Sequence, residues 1–141
     1  MKSTVYALDA NTISYLLRGE GAVDNHFEQE LIKAGNLYVV PYIVVYEVRR
    51  WLRDRPTRQL QVFAQEFDAL FQTVKSKAEM PMDVWDKAAD IYIALKQKGQ
   101  LIKDADILIA AYCMVNNYTL VTRNKDDFKR IDGLVFVDWF E

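Results

Sequence analysis

The chain of 141 residues has few of the residues that cross-link or interrupt a fold, with five Gly, three Pro and one Cys. The single cysteine, Cys113, cannot form an intramolecular disulfide, so the fold does not require an oxidising compartment. It lies in the apolar run IAAYCM and is expected to be a small buried residue without a nearby base. The only histidine, His26, lies in the polar segment DNHFEQE and is expected at the surface. A histidine-based acid or base is therefore not expected, and a nucleophilic triad is a poor candidate.

Long apolar runs are also lacking. No segment approaches the roughly 18 apolar residues of a membrane-spanning helix. The apolar run in the N-terminus MKSTVYALDA is too short for a signal peptide. A soluble cytoplasmic protein that makes no membrane contact is expected. The net charge of −2 argues against a protein that coats nucleic acid through bulk positive charge.

Apolar residues are abundant, at 51% of the chain, with 13% aromatic. This composition is typical of a compact, ordered globule and not of a disordered segment. The length suits one domain over residues 1–141.

The spacing of the apolar residues predicts strands that alternate with helices. Strands are expected at residues 4–8, 37–40, 119–122 and 134–137, with a brief fifth strand near Val74. Helices are expected at residues 11–17, 23–33, 41–53, 59–71, 82–98 and 104–116, the last two capped by Asp83 and Asp104. Such alternation predicts an α/β fold with a parallel sheet covered on both faces.

Three acidic residues, Asp9, Glu47 and Asp106, each lie where an apolar segment meets polar sequence. Asp9 ends the first strand, and ligands of an open α/β sheet bind at the carboxyl ends of its strands. Asp106 lies in the first turn of a helix and can face the same crevice. Carboxylates brought together repel one another unless a cation intervenes, and they are preferred ligands of hard divalent cations. A divalent-metal site is therefore predicted.

Each acid also has an ordinary structural explanation. Asp9 can be simply a helix cap with no further role. Glu47 can be a partly buried acid paired with Arg50. Asp104 and Asp106 are separated by about 200° around a helix, so only one of them is expected to face the site.

A second cluster is basic. The segment RRWLRDRPTR carries five Arg and one Asp, including Arg49, Arg50, Arg53 and Arg55. These arginines can form a local basic face that contacts phosphates, with Trp51 available for base stacking. The alternative is a solvated helix face with Trp51 in the core.

Four segments together resemble the PIN-domain ribonucleases, and among them the VapC-type toxins of prokaryotic toxin–antitoxin pairs. They are VYALDANTISYLLRG, IVVYEV, IKDADILIAAYCMVNNYTLVTRNKDDF and LVFVDWF. The ordered set is more specific than any of its pieces.

The resemblance implies that Asp9, Glu47 and Asp106 are the catalytic acids and metal ligands. Asp104 becomes a supporting or capping residue, and Asn11 and Thr122 match polar positions that support the acids by hydrogen bonds. The fourth acidic position of the family falls on Asn124, which supplies an oxygen without a charge. A second metal ion is then held less strongly.

The resemblance further implies a PIN-like three-layer α/β/α fold with a central parallel sheet of four to five strands. The implied activity is cleavage of RNA phosphodiesters by a water that Mg²⁺, or Mn²⁺ in its place, activates. The implied partners are a cognate antitoxin, the RNA substrate and a second copy of the chain, in a homodimer or a hetero-oligomer with the antitoxin. The sequence does not identify the RNA that is cut.

Two other functions fit parts of the pattern. A phosphatase of the haloacid-dehalogenase type uses D-x-D-x-T after a strand, but here Asn11 replaces the second Asp. A non-catalytic PIN-like module that binds RNA or a protein is the other, and Asn124 favours it.

Overall fold

The structure, a computed structural model, describes residues 3–19, 21–54, 57–72 and 80–140. Its centre is a sheet of four parallel strands in the order β2-β1-β3-β4. The strands are β1 (Val5–Leu8), β2 (Leu37–Val39), β3 (Thr119–Val121) and β4 (Phe136–Val137). The predicted parallel sheet is confirmed. The brief strand expected near Val74 lies outside the described residues.

Helices flank this sheet and complete the predicted α/β/α arrangement. They are α1 (Ala10–Leu17), α2 (Gly21–Phe27), α3 (Tyr42–Asp54), α4 (Arg58–Gln72), α5 (Met82–Gln97), α6 (Asp104–Asn116) and α7 (Lys125–Phe128), with a π-helical segment at Glu28–Lys33. Helix α1 packs against α2, α3 and α4, and α5 packs along α6. None of the described helices is long and apolar enough to cross a membrane.

The helix predicted at residues 23–33 is divided into α2 and the π-helical segment. The wider turn shows in the hydrogen bond from the Ala34 N–H to the Gln29 carbonyl, five residues back, at 3.0 Å. A π turn changes the direction in which successive side chains point. Ile32, within this segment, is 72% exposed.

The two predicted helix caps were wrong by one or two residues. Pro81 occupies the cap position of α5 and Lys103 that of α6, and neither makes a side-chain capping bond. Asp83 and Asp104 lie inside the first turns of these helices, where the positive end of the helix dipole stabilises their negative charges.

Helix α6 is buried almost all round, as the continuous apolar run predicts. Its C-cap is Asn117, whose φ of 58° is left-handed. This turn lets the Tyr118 N–H donate to the Cys113 carbonyl at 2.8 Å. The first turn of α6 then places Asp106 beside the sheet, where it is buried.

The central pair of strands creates the crevice. Strand β1 pairs with β2 on one side and with β3 on the other. The direction in which successive strands are added to the sheet therefore reverses between β1 and β3. Ligands bind at such a switch point in open α/β sheets. The residue after β1 is Asp9, and its N–H donates to the Val121 carbonyl of β3 at 3.2 Å.

Candidate functional site

Asp9 lies at the carboxyl end of β1 and is 7% exposed. Its Oδ1 accepts a hydrogen bond from the Thr12 N–H at 2.8 Å, so the residue is also the cap of α1. Burial raises the pKa of Asp9, hydrogen bonds from Thr122 and Thr12 lower this pKa, and the charge of Asp138 raises it further. Asp9 therefore does cap α1, as the alternative expected. Capping does not explain its burial, the hydrogen bond from Thr122 or the nearby charge of Asp138.

Asp106 is buried in the first turn of α6, and its Oδ2 has no hydrogen-bond partner among the described residues. Burial is the largest cause of the raised pKa of this carboxyl. The cation of Lys103 lowers the same pKa, whereas the charges of Asp127 and Asp9 raise it. A buried carboxylate oxygen without a partner is costly unless a cation or a proton approaches it.

Glu47 is half-buried on α3 and faces the other two acids. Burial raises its pKa most, and the charges of Asp106 and Asp9 add to the rise. The charges of Lys103 and Arg50 lower the pKa of Glu47. The Arg50 guanidinium itself lies over the Tyr46 ring, 5.2 Å from its centroid.

The three acids thus interact electrostatically across three separate elements. In the described part of the chain, however, no three His, Cys, Asp or Glu side chains come close enough together to hold a metal ion. The donor set still fits a hard cation in its chemistry, because it offers carboxylate oxygens, one of them buried and unpartnered, whose charges repel one another. Coordination would require the side chains to close further around the ion.

Asn124 contributes differently from a fourth acid. Its side-chain amide donates to Asp127 Oδ2 at 3.0 Å, and its backbone N–H donates to Thr122 Oγ1 at 3.0 Å. The Asp127 carboxylate raises the pKa of Asp106, so its charge reaches the site. Sequence reasoning missed Asp127, although its place three residues after Asn124, in the first turn of α7, was a usable signal.

Two further charges near the site were also missed. Lys103 lowers the pKa of both Glu47 and Asp106. Asp138, whose side chain is 7% exposed, pairs with Lys125 at 3.4 Å and raises the pKa of Asp9. Asp138 stands in the segment LVFVDWF, one residue beyond β4, which is the same position that Asp9 holds relative to β1.

The residues expected to support the acids divide into two groups. Thr122 is fully buried, and its hydrogen bond to Asp9 lowers the pKa of that acid. Asn11 and Asp104 are exposed. Within the described ranges, Asn11 makes only one hydrogen bond besides the backbone bonds of α1. In it, the Asn11 carbonyl accepts from the Ser14 hydroxyl at 2.9 Å.

The arginines of the basic segment also differ from one another. Arg49 pairs with Asp68 at 3.0 Å, and Arg53 donates to the Arg49 carbonyl at 3.2 Å. Arg50 is exposed and makes the ring contact with Tyr46. Arg55 lies outside the described residues. Trp51 is half-buried and stacks on Phe63 with ring centroids 6.3 Å apart.

The single cysteine and histidine take no part in this site. Cys113 is fully buried, as expected, and burial raises the pKa of its thiol, which disfavours a thiolate. His26 is half-buried and not fully at the surface, because it stacks on Trp139 with centroids 6.2 Å apart.

Comparison with known proteins gives a family match over most of the chain. The sequence profile described as PIN domain matches residues 6–134. One relative, the protein named Ribonuclease VapC2 of Rickettsia felis, is 26% identical over 141 residues, which cover 96% of this chain and 98% of that protein.

Solved structures of the same fold include two toxin–antitoxin complexes. One is VapBC2 from Rickettsia felis bound to a DNA fragment from its promoter, with a TM-score of 0.82 at 24% identity, covering 96% of this chain and 99% of the other. The other is VapBC-1 from nontypeable Haemophilus influenzae, with a TM-score of 0.80 at 22% identity, covering 98% of this chain and all of the other. At these identities the likeness concerns the fold.

Proposed function

Since the chain belongs to the PIN domain family, we propose that it is a metal-dependent endoribonuclease and the toxin of a toxin–antitoxin pair. The observation that carries the proposal is the set of three acids, Asp9, Glu47 and Asp106, whose charges interact at the switch point of the sheet. The names of the relatives, which are ribonucleases, support the same activity. We take residues 1–141 as one such domain.

In this proposal Asp9, Glu47 and Asp106 hold the divalent cation. Mg²⁺, or Mn²⁺ in its place, would lower the pKa of a bound water and neutralise the non-bridging oxygens of the scissile phosphate. Asp9 is fixed for this task by the Thr12 N–H and by Thr122. Asp106 offers its free Oδ2.

Charges around the three acids adjust the site. Lys103, whose cation already acts on Glu47 and Asp106, is placed to attract the substrate phosphate. Asp127, held by Asn124, adds negative charge near Asp106. We propose that it compensates in part for the neutral Asn124, so that one cation is held firmly and a second weakly.

The proposed partners are RNA as substrate and a cognate antitoxin, with this chain as a homodimer or in a hetero-oligomer. The complexes of toxin and antitoxin among proteins of this fold support the antitoxin. Tyr42 and Tyr46, 44% and 61% exposed on α3 near the acids, offer an apolar surface for it. An activity on cellular RNA belongs in the cytoplasm.

The test is cleavage of a labelled RNA by the purified protein with Mg²⁺, with Mn²⁺ and with EDTA. We expect cleavage with either metal, none in EDTA, and at least about a hundredfold loss in Asp9→Asn and Glu47→Gln, since even the groups that orient metal ligands cost 10–100-fold. Circular dichroism checks that both variants fold. Cleavage that persists in EDTA, or in both variants, contradicts the proposal.

A non-catalytic RNA- or protein-binding module remains as the second function. It is favoured by the neutral Asn124 and by the lack, in the described residues, of three acids closed around a metal position. RNA binding without cleavage under any divalent cation would support it. The phosphatase alternative loses its basis, because the chain belongs to the PIN family.

A further inference from the structure

A cleft opens directly beside Glu47, between α1 and α3. Its volume is about 340 Å³, within the range of small-ligand sites. Tyr15 and Arg18 of the α1 side line it together with Arg50 and Trp51 of α3. Glu47 is the only acidic residue among the described residues that line it, so the cleft joins a basic surface to the acid site.

Arg18 is held in this cleft by aromatic rings. Its guanidinium carbon lies 5.6 Å from the centroid of Tyr15 and 5.5 Å from that of Trp51. Such contacts use the faces of the guanidinium and leave the N–H groups at its edge available. The residue is exposed, and within the described chain no carboxylate lies within salt-bridge distance of it.

Arg50 resembles Arg18 and differs from its neighbour Arg49. It stacks on Tyr46 and likewise has no salt bridge to a described carboxylate, although its charge reaches Glu47. Arg49, one residue away and also among the arginines predicted to contact phosphates, pairs with Asp68 at 3.0 Å. We therefore leave Arg49 out of the proposed phosphate-binding residues. The two arginines that border the cleft therefore keep both their charge and their donors for a ligand.

We propose that this cleft binds the nucleotide next to the cleaved phosphodiester, with Arg18 and Arg50 as its phosphate-binding residues. The inference rests on the proposed ribonuclease function and adds a subsite to it. A planar guanidinium fixed by stacking matches the oxygens of a phosphate with two parallel hydrogen bonds. Because Glu47 lines the same cleft, the phosphate bound by Arg18 and Arg50 would lie next to the reacting one.

The test measures binding of a fluorescein-labelled single-stranded RNA by anisotropy at several salt concentrations, in the Asp106→Asn background to prevent cleavage. Arg18→Gln and Arg50→Gln are compared with Arg49→Gln as the matched control. We expect roughly three- to tenfold weaker binding for the first two and a salt slope smaller by about 0.7 for each RNA phosphate that is no longer bound. Arg49→Gln is expected to stay within about twofold.

Steady-state cleavage in the otherwise unaltered protein gives a second readout. Arg18→Gln is expected to raise KM with little change in kcat, as for a residue that binds substrate and transition state alike. Arg18→Lys keeps the charge and should recover most of the salt slope, even if loss of stacking lowers stability. If Arg18→Gln and Arg49→Gln bind alike while the unaltered protein cleaves RNA, the subsite is wrong and the ribonuclease stands. If the unaltered protein neither binds nor cleaves RNA, both proposals fall.

Discussion

Asp106 is a buried acid that combines an unpaired oxygen, within the described structure, with repulsion from neighbouring acids. It is buried, and no described residue makes a hydrogen bond to its Oδ2. The charges of Asp9 and Asp127 act on it, and its own charge acts on Glu47. A group in this state destabilises the metal-free protein when it is charged. The same features make it a strong ligand once a cation is present.

Replacing Asp106 by Asn should therefore stabilise the metal-free protein, by about 1 kcal/mol, because the buried charge is removed while the shape is kept. Urea denaturation in EDTA measures the change in the free energy of unfolding. Added Mn²⁺ should raise the stability of the unaltered protein and leave that of Asp106→Asn unchanged. A less stable Asp106→Asn protein in EDTA would show that the carboxylate has a structural role instead.

The stability of the metal-free protein should depend on pH. Asp9, Glu47 and Asp106 all have a pKa raised above the ordinary value in the folded chain. The folded state then binds more protons than the unfolded state, so stability falls as the pH rises from about 4 through the raised pKa values. Saturating Mn²⁺ should flatten this dependence. Chemical denaturation at several pH values, with EDTA or with Mn²⁺, tests both statements, and stability that rises over this range in EDTA would contradict them.

Thr122 supports Asp9 and the backbone of Asn124 at once. We expect Thr122→Val to lose about 1–2 kcal/mol of stability, since it leaves the partly buried N–H of Asn124 without its acceptor. It should also weaken metal binding roughly tenfold by freeing Asp9. Thr119→Val is the control, because Thr119 begins β3, which Thr122 directly follows, and is only half-buried. Calorimetric titration with Mn²⁺ compares the two, and equal affinities would remove Thr122 from the site.

At the level of the elements, the strands and most helices could be predicted from apolar spacing. Helix α6 is the plainest case, because its run from Ile107 to Cys113 is apolar all round and can only be buried. The π turn at Glu28–Lys33 could not be predicted, since its residues carry the same spacing as an α-helix. The caps of α5 and α6 were missed because Pro81 and Lys103 make no side-chain bond that a capping pattern could reveal.

The site was predictable to a similar degree. Asp9, Glu47 and Asp106 stand where local patterns end, and the fold brings them near enough for their charges to interact. Lys103 acts through space from the loop before α6, and no local pattern marks it. Asp127 and Asp138 were missed although each has a local signal, three residues after Asn124 and directly after β4. The cleft at Arg18 depends on how α1 packs against α3, and sequence spacing does not reveal this packing.

The end of α6 offers a prediction independent of the site. Asn117 holds a left-handed backbone that a β-branched residue adopts poorly. Asn117→Val should cost about 1–3 kcal/mol, whereas Asn117→Gly should be neutral or slightly stabilising. Thermal denaturation distinguishes them. RNA cleavage should be unchanged in both folded variants, and a loss of activity in Asn117→Gly would link this turn to the site.

The whole molecule separates its charges. The net charge is −2, and acids surround the switch point of the sheet, while Arg18 and Arg50 border the adjoining cleft. A phosphate chain approaching from the basic side would meet a cation at the acid site. This arrangement explains how an acidic protein can act on RNA without a broadly positive surface.

The most direct measurement compares RNA cleavage in Mg²⁺ by Asp106→Asn and Asp104→Asn. These aspartates are two residues apart on α6, yet one is buried among the acids and the other is exposed. If Asp9, Glu47 and Asp106 form a metal centre that cuts RNA, Asp106→Asn should lose at least about a hundredfold in rate. Asp104→Asn should stay within a few-fold of the unaltered protein. Equal loss in both variants, or an active Asp106→Asn, would contradict the metal centre.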